Sequence, residues 1–120
     1  ARWVQHRRVK RISCAMLMTT VARRTDARRL SNMAVQKRLA ACVQTVPGIR
    51  SAYRWKGKIE EMSEFLLLFK TTKKALPGLM KAIKATHPYE LPELVAVAIS
   101  GGSKEYLEWV TKETGKRKKR

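Results

Sequence analysis

The stretch from Cys42 to Thr71 limits the possible folds more than any other part of the chain. Two β-prone segments, 42–55 and 59–71, flank Lys56-Gly57-Lys58, which reads as a tight turn with Gly57 as its flexible residue. At about 3.3 Å per residue each arm of this hairpin would extend roughly 45 Å. A compact domain of this length has a radius of gyration of only about 14 Å. The hairpin must therefore overhang its own body. Its apolar side chains, Tyr53, Trp55 and Phe65 among them, then need cover from another copy of the chain. Closed rotational symmetry meets that need and also pairs off strand edges, so the pattern predicts an obligate oligomer. The centre of the return strand, Phe65-Leu66-Leu67-Leu68-Phe69, is apolar on both faces and predicts a central position in a sheet.

The remaining elements follow from periodicity. Ile12 to Thr20 is a short apolar run that reads as a buried strand. Thr25 or Asp26 can cap a helix running to about Leu39, with Ala27, Leu30 and Ala34 inward and Arg28, Arg29, Lys37 and Arg38 toward water. Pro47-Gly48 interrupts the first hairpin arm and predicts a bulge or a kink rather than an end. Leu76, Leu79, Met80 and Ile83 fit a helix over 74–86, with Pro77 tolerated in its first turn. Leu94 to Ile99 reads as a fourth buried strand, and Ser103 caps a last helix that Gly115 ends. The order βαββαβ plus a C-terminal helix predicts an α+β, ferredoxin-like split-βαβ fold in one domain. No apolar run approaches the roughly 18 residues of a membrane span.

Charge is unevenly placed. The chain carries 27 Lys and Arg against 9 acids, a net +18. Residues 1–11 and 115–120 each hold five basic residues and no acid, which leaves +8 for the body. The expected organisation is a basic N-terminal arm at 1–11, a folded domain at 12–114 and a basic tail at 115–120. Such arms attract nucleic acid or anionic surfaces in a salt-dependent way, or simply keep a protein soluble. A nucleic-acid-binding module using these arms is the competing functional class. However, the Gly-aromatic signature of an RNA-recognition sheet is missing from the central strands. Cys14 and Cys42 have no metal or redox spacing and read as buried reduced thiols of a cytoplasmic protein. The Arg-rich first 25 residues look like an organellar presequence, but the strand at 12–20 argues against cleavage there.

Several motifs occur in one order: Lys37-Arg38-Leu39-Ala40-Ala41-Cys42-Val43, Val46-Pro47-Gly48, Tyr53-Arg54-Trp55-Lys56-Gly57-Lys58, Leu68-Phe69-Lys70-Thr71, His87-Pro88-Tyr89-Glu90-Leu91-Pro92-Glu93 and Tyr106-Leu107-Glu108-Trp109-Val110. Over roughly residues 12–114 the chain resembles the CutA divalent-cation-tolerance family. The resemblance implies a ferredoxin-like homotrimer, similar in architecture to PII signalling proteins, with hairpins reaching onto neighbouring subunits. It also implies a link to copper and other divalent metals. A metal-linked cysteine of some bacterial members aligns with Thr19 here, and a hydroxyl cannot replace a thiolate toward Cu(I).

The run His87 to Glu93 is the candidate site. Its two prolines deny it ladder hydrogen bonds, so it is a stiff loop holding an imidazole, a phenol and two acids. His87, Glu90 and Glu93 are the candidate metal ligands, an N/O set suited to Cu(II) or Zn(II). Alternatively, His87 caps the carbonyls of the preceding helix and the glutamates pair with local cations. Trp55, Lys70, Tyr89 and Trp109 lie in the family-matching segments and are candidates for lining an inter-subunit cleft that holds a small ligand, or for interface packing. No nucleophile–base pairing or phosphate-cradling loop stands out, so a non-enzymatic role is expected.

Overall fold

The structure, a computed structural model, describes residues 13–116. The arm at 1–11 and the last four residues of the basic tail lie outside the described residues. Seven elements follow in order: β1 (Cys14–Val21), α1 (Arg24–Gln36), β2 (Cys42–Trp55), β3 (Lys58–Thr72), α2 (Leu76–Thr86), β4 (Val95–Ile99) and α3 (Lys104–Glu113). The four strands form one antiparallel sheet in the order β2-β3-β1-β4. The apolar run of β3 is therefore internal, between β1 and β2. Among the described residues no helix is long and apolar enough to cross a membrane.

Alternation along the strands divides the sheet into two unlike faces. Leu17 and Val21 of β1 and Leu67 and Phe69 of β3 point to one side. There they pack on Ala27, Leu30 and Ala34 of α1 and Leu79 and Ile83 of α2. All of these are essentially inaccessible to water. Met16 and Met18, opposite Lys70 and Leu68, point to the other side. On that side α3 covers only one end, where Leu107 and Val110 close on Cys14. Val46, Val95 and Val97 remain exposed, and Leu66 and Leu68 are only half-buried. The expectation of a buried fourth strand thus fails within the protomer. β4 is an edge strand, and among the described residues only its Ile99 end is covered, by the Cys14–Leu107–Val110 cluster, while Val95 and Val97 stay exposed.

The hairpin obeys its sequence closely. Lys56 (φ 52°) and Gly57 (φ 82°) make a two-residue turn with both φ values positive, the hand that matches strand twist. At Pro47-Gly48 the register slips. Val46 opposes Leu66 while Ile49 opposes Glu64, so three steps on β2 match two on β3. The extra residue keeps Val46, Ile49, Tyr53 and Trp55 on one face, and Gly48 takes the left-handed angle the bulge needs (φ 72°). The longest molecular dimension is 51 Å and the radius of gyration 16.2 Å, above the compact value of about 14 Å. Phe65 does not await cover as expected. It faces the helical layer opposite Val21, with the Arg24 guanidinium 5.2 Å from its ring centre.

Two helix ends differ from the sequence reading. α1 begins at Arg24, so Thr25 and Asp26 sit inside its first turn, and Asp26 pairs with Arg29 at 2.9 Å instead of capping. It also stops at Gln36, because Arg38 turns left-handed (φ 57°). Arg38 does not simply face water. Its guanidinium donates to the carbonyls of Lys112 (2.7 Å) and Gly115, and so caps the C-terminus of α3. The other end of α3 is capped as expected, by the Ser103 hydroxyl accepting from the Tyr106 N–H at 3.1 Å.

Candidate functional site

α2 must stop before Pro88, and His87 takes an extended backbone at its end (φ −70°, ψ 140°). The imidazole does not return to the helix carbonyls. The Tyr89 backbone N–H donates to Nδ1 at 3.0 Å, so Nδ1 carries no proton. The Nε2–H then lies between the Thr20 carbonyl (3.0 Å) and the Thr19 hydroxyl (3.1 Å). One neutral tautomer is selected, and it ties the stiff loop to the end of β1. The Thr19 position, singled out by its divergence from a cysteine, is thus one of the groups that hold His87.

Tyr89 packs its ring edge-on against His87, with centroids 4.8 Å apart. Its hydroxyl donates to Oε2 of Glu64 at 2.6 Å. Glu64 is only 5% exposed, beside the bulge on the sparsely covered face of β3. Burial, followed by the adjacent Glu64 carboxylate, raises the Tyr89 phenol far above its usual range, so it stays a donor.

Beyond this latch, residues 51–55 of β2, Met62 and Glu64 of β3 and residues 89–93 of the loop enclose a groove of about 850 Å³. Of the sequence candidates, Trp55, Tyr89, Glu90 and Glu93 meet at this groove, while His87 anchors the loop from below. Lys70 and Trp109 are elsewhere. Lys70 sits opposite Cys42 and Met16 and donates to Gln44 Oε1 at 2.5 Å. It is six residues from Glu64, about 20 Å along the strand. Trp109 lies on the outer side of α3, beside Tyr106 at 5.7 Å. As for metal, His87 has both ring nitrogens engaged, and among the described residues no three His, Cys, Asp or Glu side chains gather closely enough to hold an ion.

Sequence reasoning missed Glu64 and Thr20, and it marked Thr19 only as the place of an absent thiolate, not as a partner of His87. Glu64 did leave a signal. It shares a strand face with Leu66 and Leu68, and an acid there requires a donor when the face is covered.

A pH dependence follows from the latch. His87 titrates below its ordinary value of about 6.5, chiefly through burial, with Arg29 adding to the effect and the Thr20 carbonyl, Asp26 and Glu64 opposing it. The unfolded chain therefore takes the proton more readily. This contribution to stability is complete above about pH 6.5 and is lost as pH falls through that value toward the lower folded-state pKa. Protonated Nδ1 would also set one N–H against another. Urea unfolding between pH 7 and 5 should show stability falling, and His87→Gln should flatten that limb. Parallel curves for the two proteins would exclude the latch as its source.

The sequence profile described as CutA1 divalent ion tolerance protein matches residues 15–113. A Thermus thermophilus protein named Divalent-cation tolerance protein CutA is 47% identical over 100 residues, spanning 83% of this chain and 97% of its own length. Arabidopsis thaliana Protein CutA, chloroplastic, is 43% identical over 105 residues, 88% of this chain but 58% of the longer plant protein. The crystal structure of CutA from Xylella fastidiosa aligns with a TM-score of 0.84 at 41% identity, covering 86% of this chain and 99% of that one.

Proposed function

The chain belongs to the CutA1 divalent ion tolerance family, and on that premise we propose that it acts as a closed trimer that binds a divalent cation or small ligand where neighbouring copies meet. The observation that carries this reading is the uncovered apolar face. Among the described residues, Met16, Met18, Leu66 and Leu68, half-buried, and Val46, Val95 and Val97, exposed, share this face, and contiguous apolar surface of this kind marks an interaction site. The overhanging hairpin supplies reach toward a neighbour, and its tip carries Tyr53, Trp55 and the strongly exposed Ile59. The strand order β2-β3-β1-β4 with both crossover helices on one side supports the ferredoxin-like, PII-like reading.

Glu90 and Glu93 are the groove's exposed carboxylates and would offer oxygen donors to an incoming cation such as Cu(II). The cation is cargo in this reading, and a second copy completes its ligand set. His87 presents the loop, and Nδ1 joins the donors only if the Tyr89 N–H moves away. The role is binding rather than catalysis. Calorimetric titration of Cu(II) and of Zn(II) into the full-length protein tests it. Glu90→Gln/Glu93→Gln should weaken binding at least about tenfold, and His87→Ala should also reduce it through the loop. Isotherms unchanged in both variants would remove these residues as the site.

A further inference from the structure

The charge of the folded body is confined to one layer. Segments 23–37 and 73–86, which hold α1 and α2, carry nine basic residues and a single acid, Asp26. That is an excess of eight. The rest of residues 12–114 balances, with eight basic and eight acidic side chains. Both helices lay their apolar stripes on the same side of the sheet, so their cationic stripes point outward together. All nine basic residues are exposed. Among the described residues only Arg29 has a carboxylate within reach, Asp26. Surface helices ordinarily mix the two signs, since like charges one turn apart repel. Here Arg24 and Arg28 stand one turn apart on α1, Lys74 lies in the turn before α2, and Lys81 and Lys84 lie on α2, with no glutamate on either helix.

We propose that the outer face of the α1–α2 layer is a docking surface for the phosphate backbone of double-stranded nucleic acid, bound without regard to sequence. Charge complementarity names a polyanion, and the composition of the face narrows the choice. A membrane-binding face carries Trp, Phe or Leu to enter the headgroup region. The only large exposed apolar side chain on this layer is Val35; the others lie on the hairpin, the 87–93 loop, β4 and α3. Single strands are held by stacking on aromatic rings, and no exposed aromatic stands on these helices. What the layer does present is arginine forks, lysines and the exposed amides of Asn32 and Gln36, groups that bond phosphate oxygens. The apolar face proposed to meet other copies is on the opposite side of the sheet, so the two surfaces do not compete. The basic arms would add affinity, but the surface is independent of them.

The test is fluorescence anisotropy of a labelled 24-base-pair DNA duplex with the full chain across a salt series. Arg28→Glu/Lys81→Glu/Lys84→Glu reverses charge on the layer. Lys56→Glu/Lys58→Glu/Lys112→Glu changes net charge equally at other exposed positions. The layer variant should bind at least about tenfold more weakly, and its log–log salt slope should flatten by about three. The control should stay within about threefold of wild type. A milder Arg28→Gln/Lys81→Gln/Lys84→Gln variant, checked by circular dichroism, should show the same trend if reversal disturbs folding. Equal losses in both triple reversals would mean bulk charge alone and would overturn the proposal. Unchanged binding in the layer variants would assign it to the arms and would also overturn it. So would layer-dependent binding to vesicles of 30% phosphatidylserine in phosphatidylcholine without an effect on duplex.

Discussion

Val97→Asp should leave the protomer folded and abolish its self-association. Val97 lies on edge strand β4 opposite Met16, on the sparsely covered face, and is 42% exposed in the single chain. A carboxylate there stays solvated in a monomer, so protomer stability should change by less than about 1 kcal/mol. In the proposed trimer the same position is enclosed by apolar side chains. Each copy would then bury an unpaired charge, at an effective penalty of several kcal/mol. The dissociation constant should rise by at least about a thousandfold, some 4 kcal/mol. Sedimentation velocity reports the mass and far-ultraviolet circular dichroism the fold. A variant that sediments like wild type would show that this face is not the interface.

The second large effect belongs to the buried hydroxyl–carboxylate pair. Tyr89→Phe removes the donor from Glu64, which is almost wholly enclosed. A hydrogen bond to a charged group contributes about 1.5–3 kcal/mol, and a carboxylate left without its partner carries its desolvation penalty. Urea unfolding at fixed protomer concentration should therefore show a loss in that range. The double variant Tyr89→Phe/Glu64→Met should recover most of it, because neither polar group then remains. If the double variant is as weak as the single one, the loss comes from displaced packing and the pair is incidental.

Local backbone chemistry made much of the fold legible in advance. The Lys56-Gly57 turn, the Pro47-Gly48 bulge and the Ser103 cap are each set by the residues present, and they stand where expected. Features that depend on distant partners were not legible. The left-handed Arg38 makes sense only once α3 places its last carbonyls beside it. Arg24 begins α1 with no side-chain cap, and its guanidinium lies over Phe65, a contact made across the fold. The run Leu94 to Ile99 read as buried because sequence hydrophobicity does not say whether the cover comes from the same chain. The candidate site was half legible. The prolines announced a rigid loop, and Tyr89, Glu90 and Glu93 do reach the groove with Trp55. Spacing could not reveal that His87 is turned inward to Thr19 and Thr20, or that Glu64, 25 residues earlier, receives the Tyr89 hydroxyl. Lys70 and Trp109 lie in family-matching segments of their own, and those segments do not reach the groove in the protomer.

Everything proposed for the groove requires sister copies over the face that α1 and α2 leave bare. Sedimentation equilibrium of the full-length protein, from about 100 nM to 50 μM, examines that requirement directly. Self-association through this face should give one species of three protomer masses across the range. A particle of 13.8 kDa persisting at micromolar concentration would contradict it.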